Sequence, residues 1–150
     1  MRRTHFGDAA CPAARALDEI GDWWTLLIVR DALHGARRFG EFQKGLGLAK
    51  NILASRLRKM VADRILEVRP ATDGSAYNEY HLTQKGLRLR LVLIALRQWG
   101  EDHLFTPGEP MQVMVDKAAG RPIGRLRLTA RDGRTLDPSE VIVKMGRAER

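Results

Sequence analysis

Within the stretch GLAKNILASRLRKMVADRILEV (residues 47–68), Lys50, Asn51, Ser55 and Arg58 recur at helical spacing, away from Leu53, Leu57 and Met60. These are side chains suited to the base edges of a DNA major groove. An Asn amide pairs with adenine and an Arg guanidinium with guanine, each good bidentate contact contributing roughly 1–3 kcal/mol of discrimination. Ala54 and Ala62 keep that face shallow, whereas bulky apolar groups would block approach to base edges. Arg37, Arg38, Lys44 and Lys59 flank the stretch, where phosphates would run, and would supply position and salt dependence without sequence information. The same pattern also describes an amphipathic helix whose polar face is only solvated. The surrounding elements decide between the two.

Other chemistries find less support. The only cysteine, Cys11, excludes an intramolecular disulfide framework and a cysteine-based zinc site. His5, His34, His81 and His103 are scattered without metal-ligand spacing, so no metal site is expected. No nucleophile–base–acid set and no phosphate-binding glycine loop stands out, so neither an enzyme nor a cofactor is expected. Trp23 and Trp24 read as packing residues, one of which can still line an effector pocket between the core and the last helix.

The elements that must position these groups follow in order. Pro12 opens a short helix, AARALDEI, that Gly21 stops. Asp22 caps an almost wholly apolar helix closed by Gly35, and RFGEFQKGL makes two turns through about Leu46. The opening stretch comes next. ILEVRP and AYNEYHL have strand character and are joined by ATDGS, whose Asp73-Gly74 is a hairpin signal. Thr83 caps a long helix ended by Pro107, which Gly86 and Gly100 weaken locally. Helix, helix, helix–turn–helix, hairpin and long helix make a winged helix. Residues 108–150 alternate loosely, with a second Asp-Gly turn at Asp132-Gly133, and read as a small β-rich appendage.

The totals fit this arrangement. A chain of 150 residues, 44% hydrophobic and 29% charged, makes one globular domain with an appendage, divided at 107/108. No apolar run approaches the roughly 20 residues of a membrane span, and MRRTHFGDAAC has no leader-like apolar core, so a cytoplasmic protein is expected. The net charge is +8. From His34 to Arg90 there are twelve Lys/Arg against five Asp/Glu, so nearly all the excess sits around the opening stretch.

Three ordered stretches resemble the HxlR-type winged-helix transcriptional regulators of bacteria. They are CPAARALDEIGDWWTLLIVRDALHGARRFGEF, LASRLRKMVADRIL and YHLTQKG, with Trp99-Gly100 in the last helix. Together they cover about residues 11–104. Two positions depart from the family pattern. Ala49 stands where relatives carry a capping serine or threonine, and Arg64 stands where they carry glycine, so that helix is expected to end without its usual left-handed residue. Some relatives bear a cysteine-containing C-terminal extension. Here 108–150 has no cysteine, and no metal is expected there.

The resemblance implies a sequence-specific DNA-binding regulator, a repressor by preference, acting as a homodimer on double-stranded DNA. The long helix carries two apolar stripes, Leu87/Leu91/Ile94 and Leu89/Leu93/Leu96, and a helix apolar on two sides must bury both. Leu89, Leu93 and Leu96 are taken as the dimerisation stripe. The hairpin tip, Thr72, Asp73, Gly74 and Ser75, is expected along the backbone or minor groove, with Asp73 weakening that contact. Several relatives sense oxidants or electrophiles through a cysteine placed like Cys11, beside a helix N-terminus that favours the thiolate. An oxidant, an electrophile or a small quinone-like aromatic is the effector class implied. The alternative is a winged helix that binds proteins rather than DNA.

Overall fold

Pro12 begins α1 (Pro12–Ile20), with Cys11 at its N-cap and Gly21 at its C-cap. The computed structural model describes residues 5–148, so Arg2 and Arg3 of the leader reading lie outside the described residues. The Asp22 carboxylate accepts from the Thr25 amide (3.1 Å) and hydroxyl (2.7 Å), starting α2 (Trp23–Leu33). This side-chain cap satisfies an amide that the first helical turn leaves unpaired. Glu41 does the same for α3 (Phe39–Leu46), accepting from the Arg37 and Arg38 amides at 2.6 and 2.9 Å. Those two bonds hold the Glu41 carboxyl below its ordinary range.

Gly47 takes a left-handed φ of 64° and turns the chain within three residues from α3 into α4 (Lys50–Ala62). A short turn of this hand fixes the angle between the two helices. As the resemblance implied, α4 starts at Ala49 with no side-chain cap. Its end corrects an expectation. Arg64 does adopt the left-handed conformation, at φ 56°, the only non-glycine among the described residues to do so. The arginine therefore bears a strain that glycine avoids.

Strands β1 (Leu66–Pro70) and β2 (Asn78–Leu82) pair antiparallel, with Leu66 opposite Leu82 and Pro70 opposite Asn78. Gly74, at φ 76°, turns the connecting loop. Thr83 then caps α5 (Gln84–His103): its hydroxyl accepts from the Gly86 amide at 3.1 Å and donates to the Arg64 carbonyl at 2.5 Å. Gly86 is here for closeness rather than as a weak point. A Cβ on it would stand 2.2 Å from the Ile65 carbonyl oxygen.

The chain forms two compact units, Met1–Leu96 and Arg97–Arg150. In the first, Ile28 and Val29 of α2, Phe42 of α3, Leu53, Leu57 and Met60 of α4, and Ile65 and Leu66 make one buried core. Each such side chain contributes about 1.5–3 kcal/mol by leaving water. Trp24 packs against this core, but Trp23 is 74% exposed, contrary to the packing role expected of both. In the second unit, the buried Gln98 amide donates to the Gly124 carbonyl (3.0 Å) and accepts from the Leu126 amide (2.9 Å). The residues after α5 hold less strand than their alternation suggested. Among the described residues only β3 (Leu128–Thr129) and β4 (Thr135–Leu136) pair there, around Gly133, with one bridge from Val115 to Pro122.

Candidate nucleic-acid interface

Helix α4 is held by one side and open on the other. Leu53 and Leu57 are fully buried and Met60 almost so, while Leu48 anchors the turn before them. That packing leaves Lys50, Asn51, Ser55 and Arg58 exposed, on the side the spacing assigned them. None of the four makes a side-chain hydrogen bond or ion pair with any described residue, so their donors and acceptors are available to a partner. Arg56 points elsewhere, reaching the Asp22 carboxylate at 3.5 Å and tying α4 to the start of α2.

The flanking cations divide differently. Lys44 is exposed at the end of α3 without an ion pair to any described residue, and Lys59 pairs with Asp63 one turn on. Arg37 and Arg38, expected as phosphate contacts, are both engaged within the protein. The Arg37 guanidinium donates to the carbonyls of Ala32 (2.6 Å) and Ala36 (2.8 Å), and its own carbonyl accepts from the Tyr80 amide (2.7 Å). The first bond adds to the Gly35 amide on a carbonyl in the last turn of α2, and the second holds a carbonyl of the turn that follows. Arg37 is a structural clamp between α2, the following turn and β2.

Arg38 grips the wing. Its Nη2 lies 2.5 Å from Asp73 Oδ2, 3.3 Å from Ser75 Oγ and 3.9 Å from Glu79 Oε1, and its guanidinium sits 5.8 Å from the Tyr77 ring centroid. The Ser75 hydroxyl and amide, then Arg38, hold the Asp73 carboxyl well below the ordinary carboxylate range. Asp73 in turn raises the Arg38 guanidinium above its already high ordinary value. Thr72, Asp73 and Gly74 are exposed at the tip and Ser75 is half-buried. The wing is thus positioned by an ion pair that no hydrophobic pattern could signal. An open groove of about 690 Å³ runs between α3 and this wing, lined by Phe39, Tyr77 and Tyr80 with Lys44 at its edge.

Two residues escaped the sequence reading. Ile52, 41% exposed on the first turn of α4, breaks the rule that this face holds no bulky apolar group. Its position off the Leu53/Leu57/Met60 stripe was the available signal. Glu79, whose side chain is 9% exposed, lies at 3.9 Å from Arg38 and 3.0 Å from His81 Nε2, and an acidic residue inside a strand pattern was the clue.

The row taken for dimerisation is divided by its packing. Leu89 and Leu93 pack against the core, whereas Leu91 and Leu96 are 63% and 53% exposed. Helix phase decides this, because α5 turns the 89/93 row onto the buried core, with Leu89 beside Ile20 and Ile65. Helix α1 is amphipathic, yet none of its residues is buried. A pocket of about 120 Å³ lies among Ala16, Ile20, Ile65 and Leu89, lined by no tryptophan and far below the roughly 300 Å³ of an ordinary ligand site. Cys11 is exposed. No group of three metal-ligating side chains occurs among the described residues, and no helix is long and apolar enough to cross a membrane.

A three-helix core with a helix-turn-helix, a hairpin wing and an open polar helix face defines a winged-helix regulator of transcription. Residues 19–107 match the family described as HxlR-like helix-turn-helix, and the chain belongs to that family. It is 40% identical over 96 residues to the uncharacterized HTH-type transcriptional regulator Rv3095 of Mycobacterium tuberculosis (strain H37Rv). That match takes in 64% of this chain and 61% of the relative, so the chain spans about three fifths of the relative's length. Among solved structures, PA1607 is similar at 50% identity and TM-score 0.89, over 95% of this chain and 100% of that one. The redox regulator HypR in its reduced form is similar at 27% identity and TM-score 0.57, over 63% and 94%.

Proposed function

We propose that this protein is a homodimeric, cytoplasmic repressor that reads operator DNA with the exposed face of α4. The observation that carries the reading is that Lys50, Asn51, Ser55 and Arg58 are held outward on a helix whose opposite side is fully buried, with no partner among the described residues. These four are the base readers. Lys44 and Lys59 supply phosphate contacts, Arg38 joins them only where a phosphate displaces Asp73, and the wing tip at residues 72–75 lies along the backbone. Residues 1–107 form the DNA-binding and dimerisation domain and 108–150 its extension. The exposed rows of α1 and α5, Leu17 and Leu91 with Leu96, are the apolar surface a second copy covers. Sedimentation of a single monomeric species at micromolar concentration would remove the dimer.

The reading is tested by gel shift of the full chain on duplexes from its own upstream region across a salt series. Log affinity should fall linearly with log salt, and removing one contacting lysine should reduce the slope by about one unit. A chain that shifts none of these duplexes at low salt is a protein-binding winged helix instead. Catalysis forms no part of the proposal, since the relatives are named as transcriptional regulators.

A second reading concerns release. Cys11 is exposed at the N-cap of α1, where its side chain accepts no capping bond, and an oxidant or a quinone-like electrophile would reach it freely. Cys11→Ser should then bind DNA as the parent does but no longer release it on treatment with diamide. Equal release from both proteins rules the sensor out.

A further inference from the structure

Ile52 stands on the first turn of α4, next to Asn51 and one turn before Ser55, and is 41% exposed. Packing does not account for it. The inner side of α4 is filled by Leu53, Leu57 and Met60, and Ile52 is not among the side chains packed against that core. Helix propensity does not account for it either, since a β-branched residue is a weaker helix former than alanine, lysine or leucine. A lone apolar side chain on an open surface usually needs no explanation. This one differs because it lies among the polar groups that α4 presents outward, beside short neighbours that leave it accessible.

A major groove offers one apolar feature to a protein side chain, the C5-methyl group of thymine. We propose that Ile52 reads that methyl, making it the apolar specificity determinant of a face otherwise equipped for hydrogen bonds. The inference rests on α4 being the base-reading helix. Asn51 and Ile52 are consecutive, so an Asn51–adenine contact places a thymine methyl within reach of Ile52 on the same or the next base pair. Isoleucine suits this better than a polar residue would. It gains from expelling water around the methyl and leaves no donor or acceptor unpaired when cytosine is excluded. Burying one methyl against it is worth about a fourfold change in affinity.

The test starts from duplexes that the full chain selects from a random library. Each thymine of the selected site is replaced singly by deoxyuridine, which removes only the methyl. One thymine per half-site should lose about fourfold in affinity with the parent protein. Ile52→Ala should bind the thymine and uracil duplexes equally, and Ile52→Val should retain most of the preference. Ile52→Ala exchanges an exposed residue for a better helix former, so its thermal unfolding should match the parent. A parent indifferent to every replacement, or an Ile52→Ala that keeps the thymine preference, overturns the proposal while leaving α4 as the reading helix. A library from which nothing is enriched overturns the reading of α4 and this inference with it.

Discussion

Two clusters of basic side chains lie close together along the chain, Arg37 with Arg38 and Lys50 with Arg58, and behave in opposite ways. On α4, Lys50 and Arg58 project from a helix that is fully occupied on its other side, and none of the described residues engages them. At the α2–α3 turn, Arg37 and Arg38 are spent internally, one on the carbonyls of Ala32 and Ala36 and the other on the wing carboxylate. Both clusters count equally toward a net charge of +8. Charge that is already paired costs energy to redirect, because the old partner is left unpaired. Where along the fold a cation falls, rather than how many cations there are, sets what a polyanion can use.

The sharpest way to break this contrast is to remove one unengaged side chain. Arg58→Ala or Asn51→Ala should lower affinity for the selected site about ten- to a hundredfold, from the 1–3 kcal/mol of a bidentate base contact. Unfolding in urea should change by less than about 0.5 kcal/mol, because neither side chain is packed. A loss of stability with unchanged DNA binding would mean that α4's outer face is only solvated. Arg37→Ala should show the reverse. Two charge-assisted bonds to backbone carbonyls disappear, so stability should fall by about 2 kcal/mol while the salt slope of DNA binding is retained. A drop of one slope unit with intact stability would restore Arg37 to the phosphates.

The difference between the clusters also marks how far the sequence was legible. The element order, the Asp22 and Thr83 caps, the turn at Gly74 and the buried row Leu53/Leu57/Met60 are local or periodic features, and each was readable from residue spacing. What escaped depends on atoms brought together from distant positions. Arg38 and Asp73 are 35 residues apart, and Thr83 reaches Arg64 across 19. No spacing rule announces such pairs. The phase of α5 escaped for a related reason: both of its leucine rows are equally apolar, and only packing on the buried core separates Leu89 and Leu93 from Leu91 and Leu96. The role of Gly86 is of the same kind, since its crowding comes from the Ile65 carbonyl across the fold.

Arg64 belongs to neither cluster and separates charge from conformation. Its φ of 56° asks for glycine, and its carbonyl receives the Thr83 hydroxyl that starts α5. Arg64→Gly should raise the unfolding free energy by about 1 kcal/mol, less the extra backbone freedom that glycine brings to the unfolded chain. DNA affinity should hardly change. A stability loss would mean that the side chain, rather than the backbone angle, fixes the end of α4.

The smallest effect expected comes from turning an engaged arginine into an unengaged one. Asp73→Asn removes the carboxylate that holds Arg38 and should improve DNA affinity by no more than about fivefold, the range of an exposed ion pair. Loss of a negative charge near DNA could do the same without Arg38, so the comparison is made in an Arg38→Gln background, where the gain should vanish. The pH dependence runs in a fixed direction. The folded Asp73 carboxyl is held below its ordinary value of roughly 3.9, so the contact is complete above about pH 4 and is lost only as pH falls further. The carbon resonance of the Asp73 carboxyl should therefore keep its ionised position through pH 4. A midpoint at the ordinary carboxylate value would mean that the wing is not gripped in solution, and Arg38 would then join Arg58 among the cations free to meet DNA.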